Sequence, residues 1–254
     1  MIKMYSKNIA NKLIPIILLT TVPSIIYADA IKSNGANKSM LLKNKDDLNY
    51  NEYLELVCNH VEKYIGPIAK IFTDNSNEKY PLSILIVKPN SKRDYYTILT
   101  CGRANIAKEE HKTAPFTLCE FMICLPSNWR VPMTDEEMEK VRDQDIMPVE
   151  LLMKLARYPH EIFIGHSIPA SFLNFKNVLI HVPLIPNLNG DFKLLDAHEN
   201  AIFFFGIYPI YEEEFNYKKS LDGKVDHPSD ELLYKLESNG VSLILDPNRK
   251  NVSK

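Results

Sequence analysis

Residues 156–169 read Ala156-Arg157-Tyr158-Pro159-His160-Glu161-Ile162-Phe163-Ile164-Gly165-His166-Ser167-Ile168-Pro169. A helix over Glu150–Tyr158, opened by Pro148, is expected to run into this stretch and to stop at Pro159, because a residue that precedes proline avoids helical angles. The chain must then travel to a strand near Val178 through Gly165 and Pro169, which punctuate a loop rather than a regular element. His160, Glu161 and His166 carry more polar groups than an apolar core accepts unpaired. The segment Arg157–Pro169 is therefore expected to be a partly exposed loop, pinned by local hydrogen bonds, at one end of a sheet. Rigidly held loops commonly carry binding function, so it is the first place to look for a partner-facing surface.

Working outward, Leu54, Val57, Cys58, Val61 and Ile65 repeat at helical spacing, which predicts a helix from about Tyr50 to Tyr64, stopped by Gly66-Pro67. Leu82–Val87 is a continuous apolar run between Pro81 and Pro89, the pattern of a strand covered on both faces. Tyr95–Cys101 and Thr117–Leu125 are further strands. Thr134 and Glu137 form a capping box that opens a short acidic helix. Downstream, Val178–Val182 and Phe192–Leu195 look like strands joined by a turn at Asn189-Gly190. Ala201–Ile210 is the longest strand candidate and feeds a helix over Tyr211–Lys218. Asp230–Glu237 is a helix closed by Asn239-Gly240, and Val241–Leu245 supplies a last strand. Helices and strands interleave irregularly, so the expected class is α+β, with a mixed, largely antiparallel sheet flanked by helices.

At 254 residues and 45% hydrophobic content the chain can bury a full core. Its net charge of −2, without clustered Lys or Arg, argues against a nucleic-acid partner. The first thirty residues stand apart. Lys3, Lys7 and Lys12 form a basic start, Leu13–Ile26 is uncharged and mostly apolar, and Ala28-Asp29-Ala30 places small residues at a cleavage position. That is the layout of a secretory signal peptide over residues 1–30. A membrane anchor needs about 20 apolar residues, and this run is shorter and carries Pro15 and Pro23. Cleavage would remove three lysines and one aspartate, taking the net charge from −2 to −4. Export, periplasmic or secreted, follows if the leader is cleaved, with a cytoplasmic location as the alternative; no membrane association is expected afterwards. Residues 31–46, rich in Asn, Lys and Ser, read as a flexible linker to a domain over residues 47–254. Cys58, Cys101, Cys119 and Cys124 survive cleavage and show no C-x-x-C spacing, so they read as buried free thiols in preference to disulfides.

The chemical-looking clusters favour structure over catalysis. His160-Glu161 invites comparison with H-E-x-x-H zinc helices, but Ile164 stands four residues after His160 and the next histidine, His166, lies across Gly165. No metal or other cofactor is expected. Ser167 lacks a G-x-S-x-G elbow, and the eight glycines show no phosphate-cradling pattern. Glu212-Glu213-Glu214 opens a helix, where negative charge suits the dipole; the run is read as a solvated face or a partner-facing acidic patch. Glu120 shares a strand face with Leu118, Met122 and Cys124, so a buried carboxylate is expected, with Arg157 the first basic residue to test as its partner. Against that pairing, Glu150, Lys154, Arg157 and Glu161 fall on one helical stripe of solvated appearance. Trp129, the only tryptophan, is expected to plug a core corner at a strand end.

The order and spacing of A-R-Y-P-H-E (156–161), G-H-S-I-P (165–169), Tyr211-Glu212-Glu213-Glu214 and D-P-N-R (246–249) resemble the suppressor of fused family in its short bacterial form. The resemblance extends more weakly upstream through Tyr95–Gly102 and Glu120–Trp129, so it spans roughly residues 47–252, and it places a glutamate in the strand of Glu120. It implies a binding protein rather than an enzyme. In bacteria the family is associated with immunity proteins that neutralise polymorphic toxins by direct binding, so the expected partner is a protein, with a toxin the first candidate. The second half that completes the peptide clamp of eukaryotic relatives is not expected here. The alternatives are an exported interaction protein without a cognate toxin, and a hydrolase using the His160/His166 loop. His160, Glu161, His166, Glu212, Glu213 and Glu214 are the partner-facing candidates; Glu120, Arg157 and Trp129 are the structural ones.

Overall fold

The computed structural model describes residues 50–74, 81–110, 118–158, 162–185, 190–197 and 200–253. The expected leader and linker, the Asn189 half of the expected turn, and Pro159, His160 and Glu161 lie outside them. In chain order the elements are α1 (Tyr50–Tyr64), β1 (Ile68–Asp74), β2 (Leu82–Val87), β3 (Tyr95–Cys101), α2 (Arg103–Glu110), β4 (Cys119–Pro126), α3 (Asp135–Lys140), α4 (Asp143–Ala156), β5 (Ser167–Phe172), β6 (Phe175–His181), a 3-10 turn (Gly190–Lys193), β7 (Leu194–Ala197), β8 (Asn200–Ile210), α5 (Glu212–Ser220) and α6 (Pro228–Ser238).

The eight described strands form one mixed sheet in the order β1-β2-β3-β4-β8-β6-β5, with β7 also on β8. Every pairing is antiparallel except β4 with β8, where Cys119 to Met122 lie beside Phe203 to Gly206. The fold is thus α+β with a mixed, largely antiparallel sheet. β2 and β4 are buried on both faces, as continuous apolar strands require when helices cover the two sides. Along β4, Met122 and Cys124 join a core with Tyr53, Val57 and Val61 of α1, Phe204 and Tyr208 of β8, and Leu232 and Leu236 of α6. Phe121 and Ile123 point the other way by strand alternation. On that side α4 packs across β2, β3 and β4 with Leu151, Leu152 and Leu155.

Several elements depart from the sequence-based expectation. α4 begins at Asp143, not at Pro148; Pro148 lies inside it, buried, and forfeits one backbone bond that Val149, Leu151, Leu152 and Leu155 outweigh by burial. β1 and α2 carry no clean apolar period, and the alternating burial of β1 appears only because β2 lies beside it. Phe192 sits in the 3-10 turn, and β7 and β6 both pair with β8 rather than with each other. Val241–Leu245 is not a strand: Ile244 makes a single parallel bridge to Cys124, past the point where β8 leaves β4. The expected loop ends early, because Ser167 to Phe172 form the edge strand β5 against β6.

Candidate functional site

Glu120 sits near the start of β4 on the α1 face, fully buried. Its Oε1 accepts from Tyr53 Oη at 2.6 Å and from the amides of Gly102 and Ala104 at 2.9 and 3.2 Å. Its Oε2 accepts from Thr100 Oγ1 and from the Arg103 amide. The carboxylate therefore caps the first turn of α2, where unpaired N–H groups and the helix dipole favour negative charge. Gly102 makes the turn with φ +118°, and a Cβ there would stand 2.5 Å from the Pro81 carbonyl oxygen. Arg157 does not reach Glu120. It ends α4 on the other face of the sheet and pairs with Asp74 at the end of β1, Nη2 to Oδ2 2.8 Å. Tertiary structure has replaced the expected pairing by one spanning 83 positions.

The Gly165-His166 segment packs on α6 and α5. Gly165 donates to the Ile180 carbonyl, and Ile180 donates back to that of His166. A Cβ at Gly165 would fall 2.5 Å from Ser229 Oγ at the start of α6. The Phe163 amide donates to His166 Nδ1, which holds the ring edge-on to Phe163. Burial, with the nearby Lys218 charge, depresses the His166 pKa from 6.5 to about 4. Beside it, His181 Nδ1 accepts from the Val182 amide, so Nε2 carries the proton it gives to Asp230 at 2.7 Å. That bond holds Asp230 below the usual carboxylate range.

The acidic run divides by direction. Glu212 and Glu213 are exposed and accept from Asn177 and Asn251. Glu214, expected in a solvated or partner-facing patch, is fully buried. Arg249 grips it with two bonds of 2.6 Å, and the amides of Tyr211 and Val252 donate to it at 2.9 Å. The guanidinium lies about 5 Å from the centroids of both Phe175 and Tyr211, whose rings themselves are in contact at 4.8 Å, and Tyr211 Oη donates to the Arg249 carbonyl. The Y-E-E-E and D-P-N-R segments are thus two halves of one clasp. Helical geometry is the reason: successive residues diverge by about 100°, so only the third glutamate faces inward.

Trp129 is half-buried just after β4, with Nε1 donating to the Asp145 carbonyl at the start of α4. It ties two elements together at the rim. His60, which the sequence reading passed over, is buried and stacks on Phe204 with its Nε2 on the Phe192 carbonyl. All four cysteines are free. Burial pushes the thiols of Cys119 and Cys124 up to about 12, so they are held as neutral, unreactive groups. Among the described residues no group of three His, Cys, Asp or Glu side chains is placed to hold a metal ion.

These features define a mixed-sheet α+β domain whose buried charges clasp its own loops and helix ends. The chain belongs to the Suppressor of fused protein (SUFU) family, whose model matches residues 78–250. It is similar in structure to a SUFU (suppressor of fused protein) homolog from Neisseria gonorrhoeae FA 1090, with a TM-score of 0.52 and 19% identity, over 80% of this chain and 97% of that one. The Sufu–Fu complex structure matches with a TM-score of 0.52 and 14% identity, over 79% of this chain and 92% of that one. No curated protein sequence matches significantly.

Proposed function

We propose that this chain is a non-enzymatic protein-binding domain, of the immunity type that neutralises a toxin by direct contact. The observation that carries the reading is membership of a family with a relative solved as a complex, Sufu with Fu. The site agrees with it. Glu120, Glu214 and Asp230 spend their charge on internal bonds, and His166 is held neutral rather than paired with a nucleophile. The toxin assignment rests on the motif resemblance, and an interface of about 800 Å² per partner, led by a few anchors, is what it requires. The surface offered is the exposed Glu212–Glu213 face; His160 and Glu161 lie outside the described residues. Affinity capture from native cells, with mass spectrometry of the copurifying protein, tests the reading. A single stoichiometric toxin whose activity the chain abolishes supports it, and recovery of the chain alone at native concentration overturns it.

A second reading, an exported interaction protein without a cognate toxin, is favoured by the basic, apolar and small-residue pattern of residues 1–30. It places the mature chain in the periplasm or outside the cell, and the same capture from the extracellular fraction distinguishes the two.

A further inference from the structure

Arg103 opens α2 beside Glu120, yet the two side chains part. Glu120 takes the Arg103 amide, and the Gly102 turn fixes the backbone, so the position of Arg103 is set by the fold. Its side chain runs to the opposite face of β4, where Cζ lies 5.6 Å from the Phe121 ring centroid. The residue is 1% exposed, and among the described residues it is the only Lys or Arg buried as a whole residue. Its Nε and Nη2 are both buried and have no hydrogen-bond partner among the described residues. These two nitrogens form the side-on fork of a guanidinium, two parallel N–H groups spaced for the two oxygens of one carboxylate.

The other deeply buried charges are all engaged: Glu120 by five donors, Glu214 by Arg249, and Asp145 by Arg142. Arg103 cannot escape the cost of burial by losing its proton, and an uncompensated buried charge is strongly unfavourable. The Phe121 ring offsets part of that cost. The nearby Cys119 thiol stays protonated and supplies no counter-charge.

We propose that Arg103 is the anchor of a carboxylate-binding site, with Nε and Nη2 taking the two oxygens of one carboxylate beside the Phe121 ring. A single buried cation matches a planar monoanion, whereas a phosphate dianion would leave excess negative charge in the interior. The carboxylate comes either from a free small molecule or from a glutamate or aspartate of a bound polypeptide. Thermal unfolding of the purified chain, titrated with sodium acetate against sodium chloride at equal ionic strength, tests the site. A parallel titration uses the blocked peptide acetyl-Gly-Glu-Gly-amide. The expected result is a saturable rise in Tm of about 2–5 °C, lost in R103K, which keeps the charge without the fork, and in R103M, which keeps the bulk. A rise with acetate identifies a free carboxylate as ligand, and a rise with the peptide alone identifies a polypeptide as its source. No rise with either probe, an equal rise in the two variants, or a rise with inorganic phosphate instead would overturn the proposal. R103K alone suffices if R103M does not fold.

Discussion

At the scale of single residues, the clasp between Glu214 and Arg249 carries the sharpest consequence. Both groups are buried, and removing one leaves the other charged, desolvated and unpaired. Arg249→Ala should lower the unfolding free energy by about 3–5 kcal/mol in urea titrations. Arg249→Lys should recover only part of that, because an ammonium cannot make the bidentate pair or stack its plane against the neighbouring rings. His166 sets a pH dependence. Its folded pKa lies near 4, below its unfolded value of 6.5, so the unfolded chain binds the extra proton between those limits. The contribution is complete above pH 6.5 and is lost as pH falls toward 4. Urea midpoints measured at pH 7, 5.5 and 4 should decline, and less steeply in His166→Leu. Asp230, depressed by its His181 bond, adds a further loss as pH falls through the ordinary carboxylate value of 3.8 toward its lower folded one.

Elements show where local signals and packing disagree. The apolar run at Leu82–Val87 and the helix over Tyr50–Tyr64 were legible because periodicity reports which faces will be covered. The capping box of Thr134 and Glu137 was legible because its reciprocal bonds are local, and the structure contains both. Pro148 misled because its burial and that of its neighbours compensate for a lost backbone bond. β5 was missed because Pro169 reads as a breaker, whereas an exposed proline on an edge strand also prevents unwanted pairing. Gly102 is a tight joint between elements, linking β3 to α2 under the Glu120 carboxylate. Gly102→Ala combines a positive φ with a contact of 2.5 Å to backbone, so it should cost about 2–4 kcal/mol by the same urea assay, more than strain alone.

For the whole molecule, the arrangement separates what holds the domain from what it can present. The Glu120 and Glu214 hubs lie inside, while Glu212 and Glu213 remain on the surface. Charge reversal at Glu212 or Glu213, both exposed, should weaken binding to a captured partner by at least tenfold in a titration. Stability should change by under about 1 kcal/mol, as expected of surface substitutions. Loss of folding with retained binding would mark these positions as scaffold. The leader has its own check: N-terminal sequencing of mature protein should start near Asp29 or Ile31, and an intact Met1 on soluble cytoplasmic protein would refute cleavage.

The sequence by itself determined the α+β class, the strands at Leu82–Val87 and Tyr95–Cys101, the buried glutamate of the fourth strand, and the family. Each of these is written in short-range patterns of apolar spacing, caps and motif order. Only the tertiary structure decided which charges meet. Glu120 turned to Tyr53 and the α2 amides, Arg157 to Asp74, and Glu214 to Arg249. Partner choice for a buried charge depends on which face of the sheet a side chain occupies and which distant segment closes over it. Strand order and helix placement set both, and neither is written in the spacing of residues along the chain.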